Sequence, residues 1–165
     1  MNSVPSVIKV GIADLNIVRP PHTIRTSGLG SCVGVVIFDK QSEIAGLAHI
    51  MLPDSSLAKG KELNVAKYAD TSIESLINLL LGQGALKHRL KAKIAGGAQM
   101  FQFSSATDMM KIGPRNVQAV KEQLNKYSIP IIAEDTGGSS GRTIEFDPHS
   151  TKLQIRTVNQ GIKEI

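Results

Sequence analysis

The chain contains one thiol, Cys32, and four imidazoles, at His22, His49, His88 and His149. A thiol attacks as its thiolate, so it needs a base nearby, and the base needs a partner that fixes its orientation. Cys32 follows the glycine-bearing stretch Gly28-Leu29-Gly30-Ser31 and opens an apolar run. A tight corner entering a strand presents a side chain at the element's end and leaves backbone N–H groups beside it. Donors around Ser31 to Val33 could then hold an oxyanion as a tetrahedral intermediate forms. His49 lies on the expected returning strand and could face Cys32, and the Thr26 hydroxyl, just before the corner, could hold the imidazole. The opposing reading is plain: a lone Cys at a strand start is usually a small buried hydrophobe, and a lone His in an apolar strand a satisfied core residue.

Other chemistries find less support. The loop Gly137-Gly138-Ser139-Ser140-Gly141-Arg142 lacks the Lys-Ser/Thr ending and the strand–loop–helix setting of a phosphate loop. The single Cys and the four His show no close ligand spacing, so no metal site is expected, and no cofactor either. The formal charge of +5 favours acidic partners. The densest basic group, Lys87, His88, Arg89, Lys91 and Lys93, reads as a solvated face rather than a nucleic-acid patch. One cysteine permits no internal disulfide. The first residues show no secretory pattern, and no stretch approaches the ~20 apolar residues of a membrane span. A cytoplasmic setting without membrane insertion is the expectation.

The elements that must position Cys32 and His49 follow from periodicity. Residues 32–38 form a β-rich run, residues 39–42 a polar turn and residues 44–51 a returning strand, together a hairpin. Residues 7–13 read as a strand, Arg19-Pro20-Pro21-His22 as a turn and residues 57–62 as a loop. Ala66, Ala69, Ile73, Leu76, Ile77 and Leu80 fall at helical spacing, with Gly82 and Gly84 as the stop. A second helix opens at Pro114 and puts Val117, Val120, Leu124 and Tyr127 on one face. Residues 92–95, 129–134, 143–146 and 153–158 complete the strands. Strands and helices mix without a regular βαβ rhythm, so an α+β fold in one domain of residues 1–165 is expected.

The run Thr26-Ser27-Gly28-Leu29-Gly30-Ser31-Cys32-Val33 resembles the signature of the CheD family, the chemoreceptor glutamine deamidases. Matches follow in order: Ala48-His49-Ile50-Met51-Leu52-Pro53, Tyr68-Ala69-Asp70, then residues 92–101 around Gly96-Gly97. Ile112-Gly113 with Arg115-Asn116, and Glu134-Asp135-Thr136-Gly137-Gly138 with Gly141-Arg142, complete the series. The resemblance implies a layered α/β sandwich with mixed sheets, like the cysteine deamidase (cytotoxic necrotizing factor-like) fold. It also implies a catalytic Cys32, His49 and Thr26, with Gly30, Ser31, Val33 and Ser27 around the oxyanion and substrate. Ser27 stands where the family's pattern leads us to expect an apolar residue, so either hydroxyl, Thr26 or Ser27, could contact His49. The implied reaction turns glutamine side chains of methyl-accepting chemoreceptors into glutamate with release of ammonia. Hydrolysis of glutamate methyl esters is implied too. Implied partners are the receptors' cytoplasmic helices and a CheC-type CheY phosphatase, with Met100, Phe101 and Phe103 as candidate contacts. The competing reading is a non-catalytic adaptor that binds receptor and CheC without using its thiol.

Overall fold

The computed structural model describes residues 4–60, 63–100 and 111–165. Among the described residues, ten strands form two five-stranded mixed sheets, and two helices cover one of them, an α+β architecture. The strands are β1 (Val7–Val10), β2 (Leu15–Val18), β3 (Thr23–Leu29), β4 (Val33–Asp39), β5 (Ile44–Ile50), β6 (Lys91–Gly96), β7 (Ile131–Thr136), β8 (Arg142–Phe146), β9 (Leu153–Thr157) and β10 (Gly161–Glu164). The helices are α1 (Ala69–Gly82) and α2 (Ile112–Lys126). One sheet runs β1-β3-β8-β9-β10, with β1 and β3 parallel. The other runs β2-β5-β4-β6-β7, with β6 and β7 parallel.

The second sheet is the middle layer, and its sequence shows it. On β4, Val33, Val35 and Ile37 pack toward the helices with Ile73, Leu76, Leu80, Val120 and Leu124. Val36 and Phe38 pack the other way, against Ile24, Ile144, Phe146 and Ile155 of the outer sheet. A strand covered on both faces has no polar side to alternate with, so β4 and β5 are buried at every position. Helix α1 buries the apolar stripe expected of it, at Ala69, Ile73, Leu76, Ile77 and Leu80. Ala66 sits one element earlier, in a 3₁₀ turn at Val65–Lys67.

Several elements depart from the sequence expectations. The strand expected over residues 7–13 stops at Val10, and a turn leads into β2. Strand β3, which carries Thr26, and the short β10 were not anticipated. Of the expected loop at 57–62, Leu57 ends a 3₁₀ turn, and residues 61–62 lie outside the described residues. The basic group is not simply a solvated face. Lys93 is only 7 % exposed, and its ammonium donates to the carbonyl oxygens of Thr151 and Ile165. Arg89 reaches the fully buried Asp39, Nε to Oδ2 at 3.0 Å. Two further N–H groups, of Ser42 and Leu86, also bond this carboxylate. Burial raises the Asp39 pKa, but these donors outweigh it and the net shift is downward.

Candidate active site

Register brings the thiol and the imidazole to one face. In the β4–β5 hairpin Gly34 lies opposite His49 and Val33 opposite Ile50. Opposed residues of an antiparallel pair point the same way, and so do residues two apart along a strand. Cys32 therefore shares with Gly34 and His49 the face turned toward the outer sheet. The missing side chain at Gly34 lets the outer sheet close down beside them: a Cβ there would lie 2.6 Å from Ile144 Cδ1.

The outer sheet supplies the hydroxyl. Strand β3 alternates buried Ile24 and Thr26 with exposed Arg25 and Ser27, so Thr26 points into the sandwich and Ser27 to solvent. Thr26 Oγ1 lies 2.7 Å from His49 Nδ1 and 2.7 Å from the Val10 carbonyl oxygen. The carbonyl can only accept, so the hydroxyl proton goes to Val10 and the hydroxyl oxygen accepts from Nδ1–H. That fixes the imidazole tautomer and leaves Nε2 as a lone pair. Nε2 is buried with no hydrogen-bond partner among the described residues. Past Thr26 the β3–β8 register shifts, and Gly28, at φ +73°, carries the chain into the corner.

The corner is held through its carbonyls. Gly30 accepts from the Ala98 N–H, Cys32 from the Gly97 N–H, and Ser31 from the side-chain amide of Asn116. Gly96 and Gly97 adopt φ +113° and +66°, and a Cβ on Gly96 would collide with the Cys32 carbonyl oxygen. The conformation and the close approach both require glycine. The Cys32 N–H bonds back toward its own side chain. Val33, by contrast, sits in the ladder between Ile50 and Gly96, so its backbone faces neighbouring strands. Met100 is 45 % exposed and lies over Gly30, where a Cβ would come within 3.2 Å of its Cγ. Phe101 and Phe103 lie outside the described residues.

Burial favours the neutral form of both groups. Burial pushes the Cys32 thiol up from its ordinary value, against a smaller opposing effect of its own backbone N–H. Burial takes His49, which is 0 % exposed, down to about 4. A buried imidazole has lost the water that would solvate its charged form, and Thr26 beside it brings no negative charge in compensation. Among the described residues, no three His, Cys, Asp or Glu side chains group so as to hold a metal ion. No described helix is long and apolar enough to cross a membrane.

Sequence reading missed one residue here. Asn116, on α2, is fully buried and bonds the Ser31 and Met51 carbonyls from one amide nitrogen. Asn116 stood in the sequence only as part of the Arg115-Asn116 match, with no role attached to it.

The fold and site define an α+β protein in which a buried imidazole bonded to a buried hydroxyl shares one face of a two-sheet sandwich with a lone thiol. Comparison with known proteins gives the particular family. The family model described as CheD chemotactic sensory transduction matches residues 51–157. The chemoreceptor glutamine deamidase CheD of Halalkalibacterium halodurans is 64% identical over 159 residues, 96% of this chain and 98% of its own. Its namesake in Bacillus subtilis is 65% identical over 159 residues, 96% of each chain. A probable chemoreceptor glutamine deamidase CheD of Clostridium novyi is 51% identical over 158 residues, 96% of this chain and 97% of its own. The chain belongs to the CheD family.

Proposed function

We propose that this chain hydrolyses the side-chain amide of glutamines in chemoreceptors, with Cys32 as nucleophile, His49 as base and Thr26 as the group that orients His49. The observation that carries the reading is the chain of bonds from His49 Nδ1–H to Thr26 Oγ1 to the Val10 carbonyl, which leaves Nε2 unprotonated on the face shared with Cys32. The relatives' names supply the substrate class.

The reaction balances with these groups alone. Nε2 takes the Cys32 proton as Sγ attacks the carboxamide carbon, and the electron pair of the C=O bond moves to its oxygen. The Ser31 and Cys32 amides, at the corner, are the donors assigned to that oxygen; Val33, within the ladder, is a weaker one. Collapse breaks the C–N bond, and the imidazolium proton leaves with the amine as ammonia. Water attacks the thioester and gives its proton to Nε2. The thiolate departs, recovers that proton and leaves glutamate. With a methyl ester in place of the amide, methanol leaves by the same steps. Because thiol and imidazole both rest neutral, the proton moves during attack rather than before it.

The receptor's helices are the substrate, and the chain's excess positive charge suits an acidic helix. Met100, beside Gly30, puts an exposed apolar side chain at the rim of the corner. A CheC-type phosphatase docking there would compete with receptor for the site. The two mixed sheets and the helix layer are also the arrangement expected of a cysteine deamidase fold like that of cytotoxic necrotizing factor.

The test is to incubate the protein with a receptor cytoplasmic fragment and map peptides for a gain of about one mass unit at a glutamine, the shift from amide to acid. Cys32→Ala should abolish the gain while receptor binding persists. A folded wild type that binds receptor without deamidating it would leave the adaptor reading standing.

A further inference from the structure

Cys32 stands one residue before β4 and His49 lies on β5, and the ladder of these strands ends at the pair Val33 and Ile50. Beyond it the two chains part. Met51 turns its N–H to the Lys67 carbonyl, while Ser31 and Cys32 bend into the corner. No backbone rung joins Ser31 to Met51. Their carbonyl oxygens instead face one nitrogen, Asn116 Nδ2, at 3.0 Å and 2.9 Å. We infer that Asn116 is a positioning residue, a side-chain rung that closes the open end of the hairpin and sets the separation of Cys32 from His49. This inference rests on the catalytic reading given above.

The chemistry suits an amide. Two carbonyls one residue before Cys32 and two residues after His49 need two donors at a single point, and a planar NH₂ group supplies two protons roughly 120° apart. A hydroxyl has one proton, and a carboxylate would meet both oxygens with repulsion. Helix α2 holds the amide there through contacts that leave little freedom. A Cβ on Gly113 would collide with the Ala98 carbonyl oxygen, and one on Gly97 with Val117 Cγ2, so the first turn of the helix lies flush against the corner. Asn116 is 0 % exposed, yet its Oδ1 has no partner among the described residues. An apolar residue would fill the space without stranding an acceptor, so packing alone does not explain the amide.

The experiment compares wild type, Asn116→Ala and Asn116→Asp with Val120→Ala, which hollows the core beneath the same helix and touches neither strand end. Each is assayed on a receptor cytoplasmic fragment, and Cys32, the only cysteine, is alkylated with iodoacetamide without substrate. Both Asn116 variants should lose at least ~30-fold in kcat with KM within about threefold, since a positioning loss falls on the chemical step. Their alkylation should slow at least about fivefold because the thiol loses its base. Val120→Ala should lose thermal stability and leave both rates within about twofold of wild type. Asn116 variants that fold, alkylate at the wild-type rate or faster, and keep kcat overturn the inference. Should they fail to fold, the side-chain amide protons of wild-type Asn116 decide by NMR: exchange as slow as that of the β4 amides supports the rung, and free exchange removes it. A wild type inactive on receptor would defeat the catalytic reading, while the alkylation and exchange results would still judge the rung.

Discussion

The Thr26 hydroxyl is the sharpest place to probe the site, because one atom serves two buried partners. Thr26→Val keeps the shape and removes the oxygen that donates to Val10 and accepts from His49, both at 2.7 Å. The Val10 carbonyl and the Nδ1–H are then left without partners in a region where Thr26 is 2 % exposed and His49 0 %. Each stranded group costs about 1–3 kcal/mol, so a loss of roughly 2–6 kcal/mol in stability is expected. Activity should suffer separately. Without the hydroxyl nothing keeps the proton on Nδ1, and a tautomer protonated at Nε2 cannot accept from the thiol. Since general-base assistance contributes about 10²–10⁴-fold, kcat should fall within that range.

The assay pairs ammonia release from a receptor fragment with thermal unfolding, on Thr26→Val, Thr26→Ser and Ser27→Ala. Thr26→Ser keeps the oxygen and should recover most of the activity. Ser27 points to solvent, so Ser27→Ala should stay within about 0.5 kcal/mol of wild type and keep its rate. If Thr26→Val turned over like wild type, or if Ser27→Ala were the damaging change, the hydrogen-bond argument would be refuted.

Acid should destabilise the fold through His49. Its folded-state pKa of about 4 lies below the ordinary 6.5, so protons favour the unfolded chain. The contribution is complete above about pH 6.5 and is lost as pH falls through about 4, on the order of 3 kcal/mol in all. Thermal melts across that range should show a shallower pH slope in His49→Gln than in wild type; equal slopes would contradict the assignment. Gly96→Ala should lower stability by about 3 kcal/mol or more, from a left-handed backbone with a Cβ driven against the Cys32 carbonyl. A melt within a degree or two of wild type would mean that the Gly-Gly segment does not hold the corner as described.

What the sequence made legible is what local pattern encodes. The continuous apolar run of β4, the polar turn and β5 announced a hairpin, because a strand buried on both faces has no other signature. The spacing from Ala69 to Leu80 announced α1 in the same way. Strand β3 escaped notice because it alternates Arg25 and Ser27 with Ile24 and Thr26 just before a glycine corner, which reads locally as a turn. It becomes a strand through parallel pairing with β1 and antiparallel pairing with β8, more than a hundred residues away. The choice between Thr26 and Ser27 was open for the same reason: only the outer sheet's orientation decides which hydroxyl faces His49. Asn116 and Lys93 show the matching blind spot. Each is a polar residue on an amphipathic or alternating element, and each is buried because distant carbonyls need a donor there.

A hydroxyl as third member of the site also accounts for its electrostatics. A carboxylate beside Nδ1 would stabilise the imidazolium and raise the pKa of His49, toward a resting thiolate–imidazolium pair. Thr26 orients the ring without adding charge, so burial alone acts on His49 and holds it down at about 4. The same burial pushes the thiol up, and the pair rests neutral. In the proposed mechanism charge then appears only as substrate is attacked. At that moment the Nδ1–H bond to Thr26, relayed to the Val10 carbonyl, becomes charge-assisted and strengthens. An interaction that grows as the reaction proceeds lowers the barrier, whereas one already present at rest does not. In the proposed deamidase, the uncharged third member thus keeps an unbound thiol quiet and still supports the imidazolium when it forms.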